Sequence, residues 1–335
     1  MMRDSATLGH RRAGTARGRR SPATGLYEVD HSQSETPGPI LHARSQHHYW
    51  QGRGGLSIKS FVSGRALYKV DRGYIAVGPG EYLVLNDGQE YAVLVESAAP
   101  VESFCVFFPG GLAESVRRSL VEGTDALLDD PDPGSDTPVQ FVQRTYPSDD
   151  LISPVLIRLR HDAADLSPGD GRLEESLYLL AARLLRIHDM NLREAESVPA
   201  LRAATRQELY RRLHVARDYI AARYDRPISL EDIGRVAGLS ANHLLRTFQA
   251  LFGMTPHQYV IACRMERARA LLARTDLPVT EICLAVGWTS LGTFSSQFRR
   301  RTGLSPRDYR RQFGEIREDF GGRDAGESTA IRPMR

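Results

Sequence analysis

Lysine is almost missing from this chain: of its 44 basic residues only Lys59 and Lys69 are lysines, and the rest are arginine. Cysteine is scarce as well. Cys105, Cys263 and Cys283 are odd in number, widely spaced and form no CxxC pair, which supports neither a disulfide framework nor a zinc site. Each lies in an apolar stretch and is expected as a small buried hydrophobe. Long apolar runs are lacking too: the best, such as 91–95 and 157–159, fall far short of the roughly 20 residues a membrane span needs. No apolar core follows the Arg-rich N-terminus, so no secretory signal is read there. The expected location is the cytoplasm, with no membrane partner.

What is present points to two domains with tails, the ordinary division for 335 residues with 41% apolar content. The net charge of +3 hides an asymmetry. Residues 66–200 carry 11 Lys+Arg against 23 Asp+Glu, a net of −12, whereas residues 205–313 carry 18 against 9, a net of +9. A polyanion-binding module beside an anionic one fits that change of sign. A genomic preference for arginine explains the missing lysine but not the change of sign.

Residues 1–40 are polar and Arg-rich and read as a disordered basic tail. From about 45 to 108, short β-rich runs alternate with Gly, Pro and Asn-Asp turns, at 56–62, 66–70, 74–77, 82–85, 91–95 and 101–108, which predicts a small antiparallel barrel or sandwich. Helical spacing follows. Leu173, Leu177, Leu180, Leu184 and Ile187 form an apolar stripe that fits either the chain's own barrel or a second subunit; the four leucines are candidate dimer contacts. Residues 191–204 read as a polar linker, and Leu209, Leu213, Ala216 and Ile220 mark another amphipathic helix. The chain is polar and Gly-rich again over 314–335.

The strongest signal is an internal repeat in the cationic part. At an offset of 49, Asp232 faces Glu281, Ile233 faces Ile282 and Gly238 faces Gly287. At 50, Leu244 faces Phe294, Phe248 faces Phe298, Gly253 faces Gly303, Pro256 faces Pro306 and Tyr259 faces Tyr309, so one residue is inserted at the turn. Each copy has the grammar of a helix-turn-helix. Ser229 caps a short helix with Asp232 completing a capping box, Gly238-Leu239-Ser240 makes the turn, and Thr255-Pro256 starts the next helix. The second copy repeats this with Gly287-Trp288-Thr289 and Ser305-Pro306. Between the copies, 256–273 predicts one helix of about 27 Å at 1.5 Å per residue, a strut for two units that would meet grooves roughly 34 Å apart.

In such a unit the second helix enters the major groove. Its outward positions in the first copy are Asn242, His243, Leu245, Arg246 and Gln249. Asn on adenine and Arg on guanine are the common bidentate pairings, so Asn242 and Arg246 are the expected base readers. The second copy offers Gly292, Thr293, Ser295, Ser296 and Arg299, small and hydroxylic. Arg299, Arg300 and Arg301, with His243, Gln249 and Thr293, are expected on the DNA backbone.

The run 228–310, including GWTSLGTFSSQFRRRTGLSPRDYRR from Gly287 to Arg311, resembles the AraC/XylS DNA-binding domain over about 100 residues. The resemblance implies two units joined by a central helix, double-stranded promoter DNA and RNA polymerase as partners, and a role as a transcriptional activator. The family's base-reading positions fall on Asn242, Leu245 and Arg246, then on Gly292 and Ser296. The last two depart from the longer polar side chains common there, which weakens base reading by the second unit. The N-terminal part is similar, more weakly, to the cupin-like sensor barrels of that family, through Gly73, Pro79-Gly80 and EYLVLNDGQEY. Metal-binding cupins need His-x-His, a Glu and a later His; here His47 and His48 are adjacent and no His follows Pro79 until His161, so no metal and no other cofactor is expected. His48, Trp50 and Tyr68 are candidates for binding a small organic effector.

The expected fold is thus α+β: a cupin-like β-barrel with a helical segment and homodimer contacts over 41–190, a linker over 191–204, and an all-α double helix-turn-helix over 205–313. The expected function is sequence-specific transcription regulation under control of a small molecule. The alternative is a cupin-type isomerase or oxygenase with an appended DNA-binding unit, which needs convergent His and carboxylate ligands on strands. A repair methyltransferase would need a cysteine in a nucleophile-like motif.

Overall fold

Strict alternation between two apolar faces organises the first half of the molecule. The computed structural model describes residues 19–20, 27–28, 38–71, 73–121, 138–163, 165–166, 170–200 and 202–314. Most of the 1–40 tail, and 315–335 of the C-terminal one, lie outside them. A two-residue pair, β1 (Arg19–Arg20) with β2 (Tyr27–Glu28), precedes the main sheet. That sheet contains β3 (Ile40–Gly54), β4 (Ser57–Ser63), β5 (Ala66–Val70), β6 (Gly73–Val77), β7 (Glu81–Leu85), β8 (Gln89–Phe107) and β9 (Thr145–Pro147). The order is β6-β5-β8-β4-β7-β9, with β3 on β8, every pairing antiparallel. Because β6 also comes back against β7 and β9, the sheet is a nearly closed barrel.

Side chains on alternate residues enter different cores. Phe61, Tyr68, Val77, Leu83, Leu85, Tyr91 and Val95 fill the barrel interior. Ile58, Tyr82, Val84, Phe104 and Val106 point the other way, under helices α1 (Leu112–Val121), α2 (Ser153–Asp162) and α3 (Gly171–Glu196). The leucine stripe belongs to this second core. Leu173, Leu177, Leu180 and Leu184 are all buried against their own barrel, so the reading in which they face a second subunit is corrected. Their helical spacing specified an apolar face without specifying what covers it.

Two strands differ from expectation. β3 lies where no strand is predicted, because its sequence is polar and largely exposed, and its register with β8 shifts between Ser45 and His47. The predicted runs 91–95 and 101–108 are one long strand, β8, bent between two partners.

The helical half comprises α4 (Ala203–Arg223), α5 (Leu230–Ala237), α6 (Ala241–Phe252), α7 (Pro256–Arg274), α8 (Val279–Ala285), α9 (Leu291–Thr302) and α10 (Pro306–Gly314). Over the expected linker, α3 instead continues to Glu196, and Ala195 and Val198 are buried in the core of the helical half. No helix among the described residues is long and apolar enough to cross a membrane.

The halves are docked by polar contacts. Asp218 on α4, 1% exposed, accepts from the Thr145 N–H at 2.8 Å and from its hydroxyl at 2.9 Å. Arg217 donates to the same carboxylate at 2.6 Å and to the Thr145 carbonyl at 2.7 Å. Arg144 reaches the Tyr210 hydroxyl at 2.8 Å and His214 Nε2 at 3.0 Å. Burial, with Arg217 and Arg144 nearby, pushes the His214 pKa well below the usual imidazole value. The ring is therefore neutral, and since arginine only donates, Nε2 is the acceptor. Gly73 also packs tightly here: a Cβ there would lie 3.3 Å from Val215 Cγ1.

Candidate nucleic-acid interface

The repeat seen in the sequence is a repeat of local geometry. In the first unit Ser229 caps α5 and exchanges hydrogen bonds with Asp232 in a full capping box, and α5 ends at Gly238 in the left-handed region, φ 67°. The Leu239 N–H then returns to the Gly234 carbonyl at 2.8 Å. In the second unit α8 is followed by Gly287, φ 82°, and the Trp288 N–H returns to the Cys283 carbonyl at 3.0 Å. The turn packs closely on its helix in the first unit, whereas the longer turn of the second leaves room for a side chain at the matched position. A Cβ on Gly234 would sit 2.6 Å from the Leu239 carbonyl oxygen, while Cys283 places its Sγ 3.7 Å from the Trp288 carbonyl.

Caps position the second helix of each unit. Ser240 accepts from the His243 N–H and starts α6. In the second unit Ser290, not Thr289, caps α9 by accepting from the Thr293 N–H at 3.3 Å. The inserted residue therefore lengthens the turn and leaves the helix unchanged. Both second helices are 12 residues long and end at left-handed glycines, Gly253 and Gly303.

The central helix is shared. Val260 and Cys263 of α7 pack with Leu213, Ile233, Leu244 and Phe248 in the first core. Further along the same helix, Met265, Ala268 and Leu272 pack with Ile282, Phe294 and Phe298 in the second. Its 19 residues span about 28 Å at 1.5 Å each. A single α-helix with both ends in packed cores fixes the separation of the two units.

With Leu244, Thr247 and Phe248 buried, α6 turns Asn242, Leu245, Arg246 and Gln249 to solvent, and His243 is half-buried. With Phe294 and Phe298 buried, α9 exposes Gly292, Thr293, Ser296, Arg299, Arg300 and Arg301. The expected contact residues of each helix are thus exposed, with His243 half-buried. The three arginines occupy the last turn of α9, where cations also complement the negative helix end. Other arginines counted in the +9 charge tie the fold internally: Arg264 donates to the Tyr224 carbonyl at 2.7 Å, and Arg310 to that of Leu277.

The effector candidates do not form one cluster. Tyr68 is buried in the barrel interior, Trp50 is 37% exposed at its rim, and Tyr91 lies between them at ring distances of 6.0 and 4.7 Å. His48, opposite Val95 on the edge strand β3, is exposed. Sequence reasoning missed Arg144, Arg217 and Asp218. The available signal was His214-x-x-Arg217-Asp218, a polar cluster on a helix whose other face is apolar.

Two stacked helix-turn-helix units on one central helix define the C-terminal part as a double helix-turn-helix domain. Residues 233–312 match the family model described as a helix-turn-helix domain. The melibiose operon regulatory protein of Escherichia coli (strain K12) is 35% identical over 104 residues, which are 31% of this chain and 34% of that protein. The probable transcriptional regulator LumQ of Photobacterium leiognathi is 34% identical over 92 residues, covering 28% and 37% respectively. Among solved structures, the C-terminal domain of AraT, a response regulator from Geobacillus stearothermophilus, is 31% identical and covers 30% of this chain and 84% of that one, with a TM-score of 0.29. The chain thus spans about a third of the length of the curated relatives it matches. Over this C-terminal part the chain is similar to helix-turn-helix transcription regulators.

Proposed function

We propose that this chain is a sequence-specific DNA-binding regulator of transcription, an activator that responds to a signal at its N-terminal domain. The observation that carries the reading is the pair of outward faces on α6 and α9, held apart by a helix embedded in both cores. The matches to an operon regulator and a probable transcriptional regulator support it. In this reading 41–190 is the sensor and 205–313 the DNA-binding domain. Asn242, Leu245 and Arg246 read bases, and Gly292 and Ser296 approach them. His243, Gln249, Thr293, Arg299, Arg300 and Arg301 meet the phosphates. A small molecule favours one arrangement of the halves, a population shift rather than an induced shape. Cytoplasmic location, contact with RNA polymerase and a homodimer built on surfaces other than the leucine stripe complete the proposal.

A mobility-shift titration of the full chain on the DNA upstream of its own gene tests the reading. Binding at low salt that falls steeply as salt rises is the expected result. No binding at low salt would overturn it.

A further inference from the structure

We propose that Arg264 is a positioning residue that braces the two helix-turn-helix units against each other, so that the second unit selects DNA by how readily it bends. The brace lies at the waist of α7. Cys263 packs in the first core and Met265 in the second, so Arg264 leaves the helix where one core gives way to the other. Its Nε donates to the Tyr224 carbonyl at 2.7 Å and its Nη2 to that of Arg226 at 3.3 Å. Both carbonyls belong to the segment that follows α4, and Tyr224 packs on the first core. The same guanidinium lies over the Trp288 ring, 5.8 Å from its centre, and Trp288 packs on the second core.

A second contact closes the same joint. Gly287, in the turn of the second unit, lies against Asp225: a Cβ there would come within 2.6 Å of the Asp225 carbonyl oxygen. Residues 224–226 therefore approach 287–288 directly, and Arg264 ties the two segments together. A lone strut keeps the units apart but lets them swing about its waist, because long helices bend gently. A tie set off the helix axis removes that freedom. Trp288 serves the tie through its ring face, since its buried Nε1 has no hydrogen-bond acceptor among the described residues. Guanidinium suits both tasks, donating along its edge while its face lies on the ring.

The consequence for DNA rests on the reading of α6 and α9 as the contact helices, whereas the brace itself does not. The strut α7 is about 28 Å long, and successive faces of the major groove lie roughly 34 Å apart. Units free to swing would adapt to straight DNA. Braced units make the DNA come to them, at an energy that depends on the sequence being bent. This gives α9 a means of discrimination although Gly292, Thr293 and Ser296 offer little to base edges. Arg299, Arg300 and Arg301 grip phosphates firmly only where the intervening base pairs yield.

The test uses the full chain with nitroxide labels at Ala250→Cys and Ser296→Cys, both exposed positions, the three native cysteines being buried. Pulsed electron-spin distance measurements without DNA should give one narrow distribution for the parent. Arg264→Met keeps the stem, removes the donors and should widen the distribution about twofold. Arg264→Lys, with one donor centre in place of the fork, should fall between the two and decides the matter if the methionine variant does not fold. Footprinting on the upstream fragment locates the base pairs between the two protected segments, where either a flexible TA step or a stiff A-tract is then placed. The parent should favour the TA fragment by about fivefold and Arg264→Met by less than about twofold, with the preference for the contact sequence under α6 retained. An unchanged distance distribution would overturn the brace. Loss of the α6 preference as well would make Arg264 a general folding residue and overturn its positioning role. A wider distribution with the TA preference intact, or a parent without that preference, would overturn selection by bending. A protein that never binds DNA would overturn the regulator reading and selection by bending together, and leave the brace standing on the distance data.

Discussion

Replacing Asp218 by alanine should do more than weaken one contact; it should let the two halves unfold separately. The carboxylate is 1% exposed and satisfies the Thr145 N–H, the Thr145 hydroxyl and the Arg217 guanidinium at 2.6–2.9 Å. Arg217 itself has a side chain only 14% exposed. Truncation strips that guanidinium of its hydrogen-bonded counterion in the interface, leaving only the Glu81 carboxylate nearby, and frees a buried backbone N–H. Losing one partner of a buried pair costs about 3–5 kcal/mol. Glu208→Ala provides the contrast. Its pairs with Arg211 and Arg212 involve side chains 39–43% exposed, where solvent screening limits the cost to about 1 kcal/mol or less. The chain's two tryptophans sit conveniently apart, Trp50 on the barrel and Trp288 in the second helix-turn-helix unit. Urea unfolding of single-tryptophan variants therefore follows each half by fluorescence. The expected result is coincident transitions for the parent and separated ones for Asp218→Ala. A loss below about 1 kcal/mol with transitions still coincident would refute the claim that this cluster couples the halves.

Lys59 lies in the barrel wall, 3% exposed, its ammonium 3.8 Å from the Phe107 ring centre, and burial lowers its pKa to about 8. Below pH 8 both folded and unfolded chains carry the proton and the whole penalty stands, about 3 kcal/mol. It fades as pH rises from 8 towards the unfolded lysine value, because the folded chain releases its proton first. Lys59→Met should therefore raise the urea midpoint at pH 7, with the advantage shrinking by pH 10; an advantage that grows with pH would contradict the assignment. Gly287→Ala combines a positive φ with a Cβ 2.6 Å from the Asp225 carbonyl oxygen, whereas Gly253→Ala has a positive φ and open space. Gly253→Ala should cost about 1–2 kcal/mol and Gly287→Ala clearly more, and equal losses would remove the steric argument. Asn86→Ala should cost about 1–3 kcal/mol or more in equilibrium unfolding, since its amide satisfies both the N–H and the carbonyl of Phe141 in a buried site.

The double helix-turn-helix was legible because its signals are local. Ser229 with Asp232, the left-handed Gly238, Ser240 and Thr255-Pro256 each specify a helix boundary within four residues of themselves. Locality leaves one boundary open: Thr289 and Ser290 are both competent caps, and in the longer turn it is Ser290 that starts α9. Non-local facts were not legible. The leucine stripe of α3 did not name its partner, and β3 carries too few alternating apolar residues to read as a strand, although fourteen of its residues pair with β8. The docking of α4 on the barrel depends on Thr145, Arg217 and Asp218, charged and hydroxylic residues that resemble surface positions until their partners are known. The exposed faces of α6 and α9 follow from the period of their buried residues.

The central claim is that the two units divide the work, with α6 reading bases and α9 holding the backbone. Its most direct test is the salt dependence of binding by the parent chain, Arg246→Ala and Arg300→Ala, measured on the upstream fragment and on a scrambled sequence. Arg246→Ala is predicted to lose about 1–3 kcal/mol on the upstream fragment and little on the scrambled one. Arg300→Ala is predicted to weaken both alike and to flatten the salt slope by about one. Uniform weakening by Arg246→Ala, together with a sequence-selective loss from Arg300→Ala, would contradict the account.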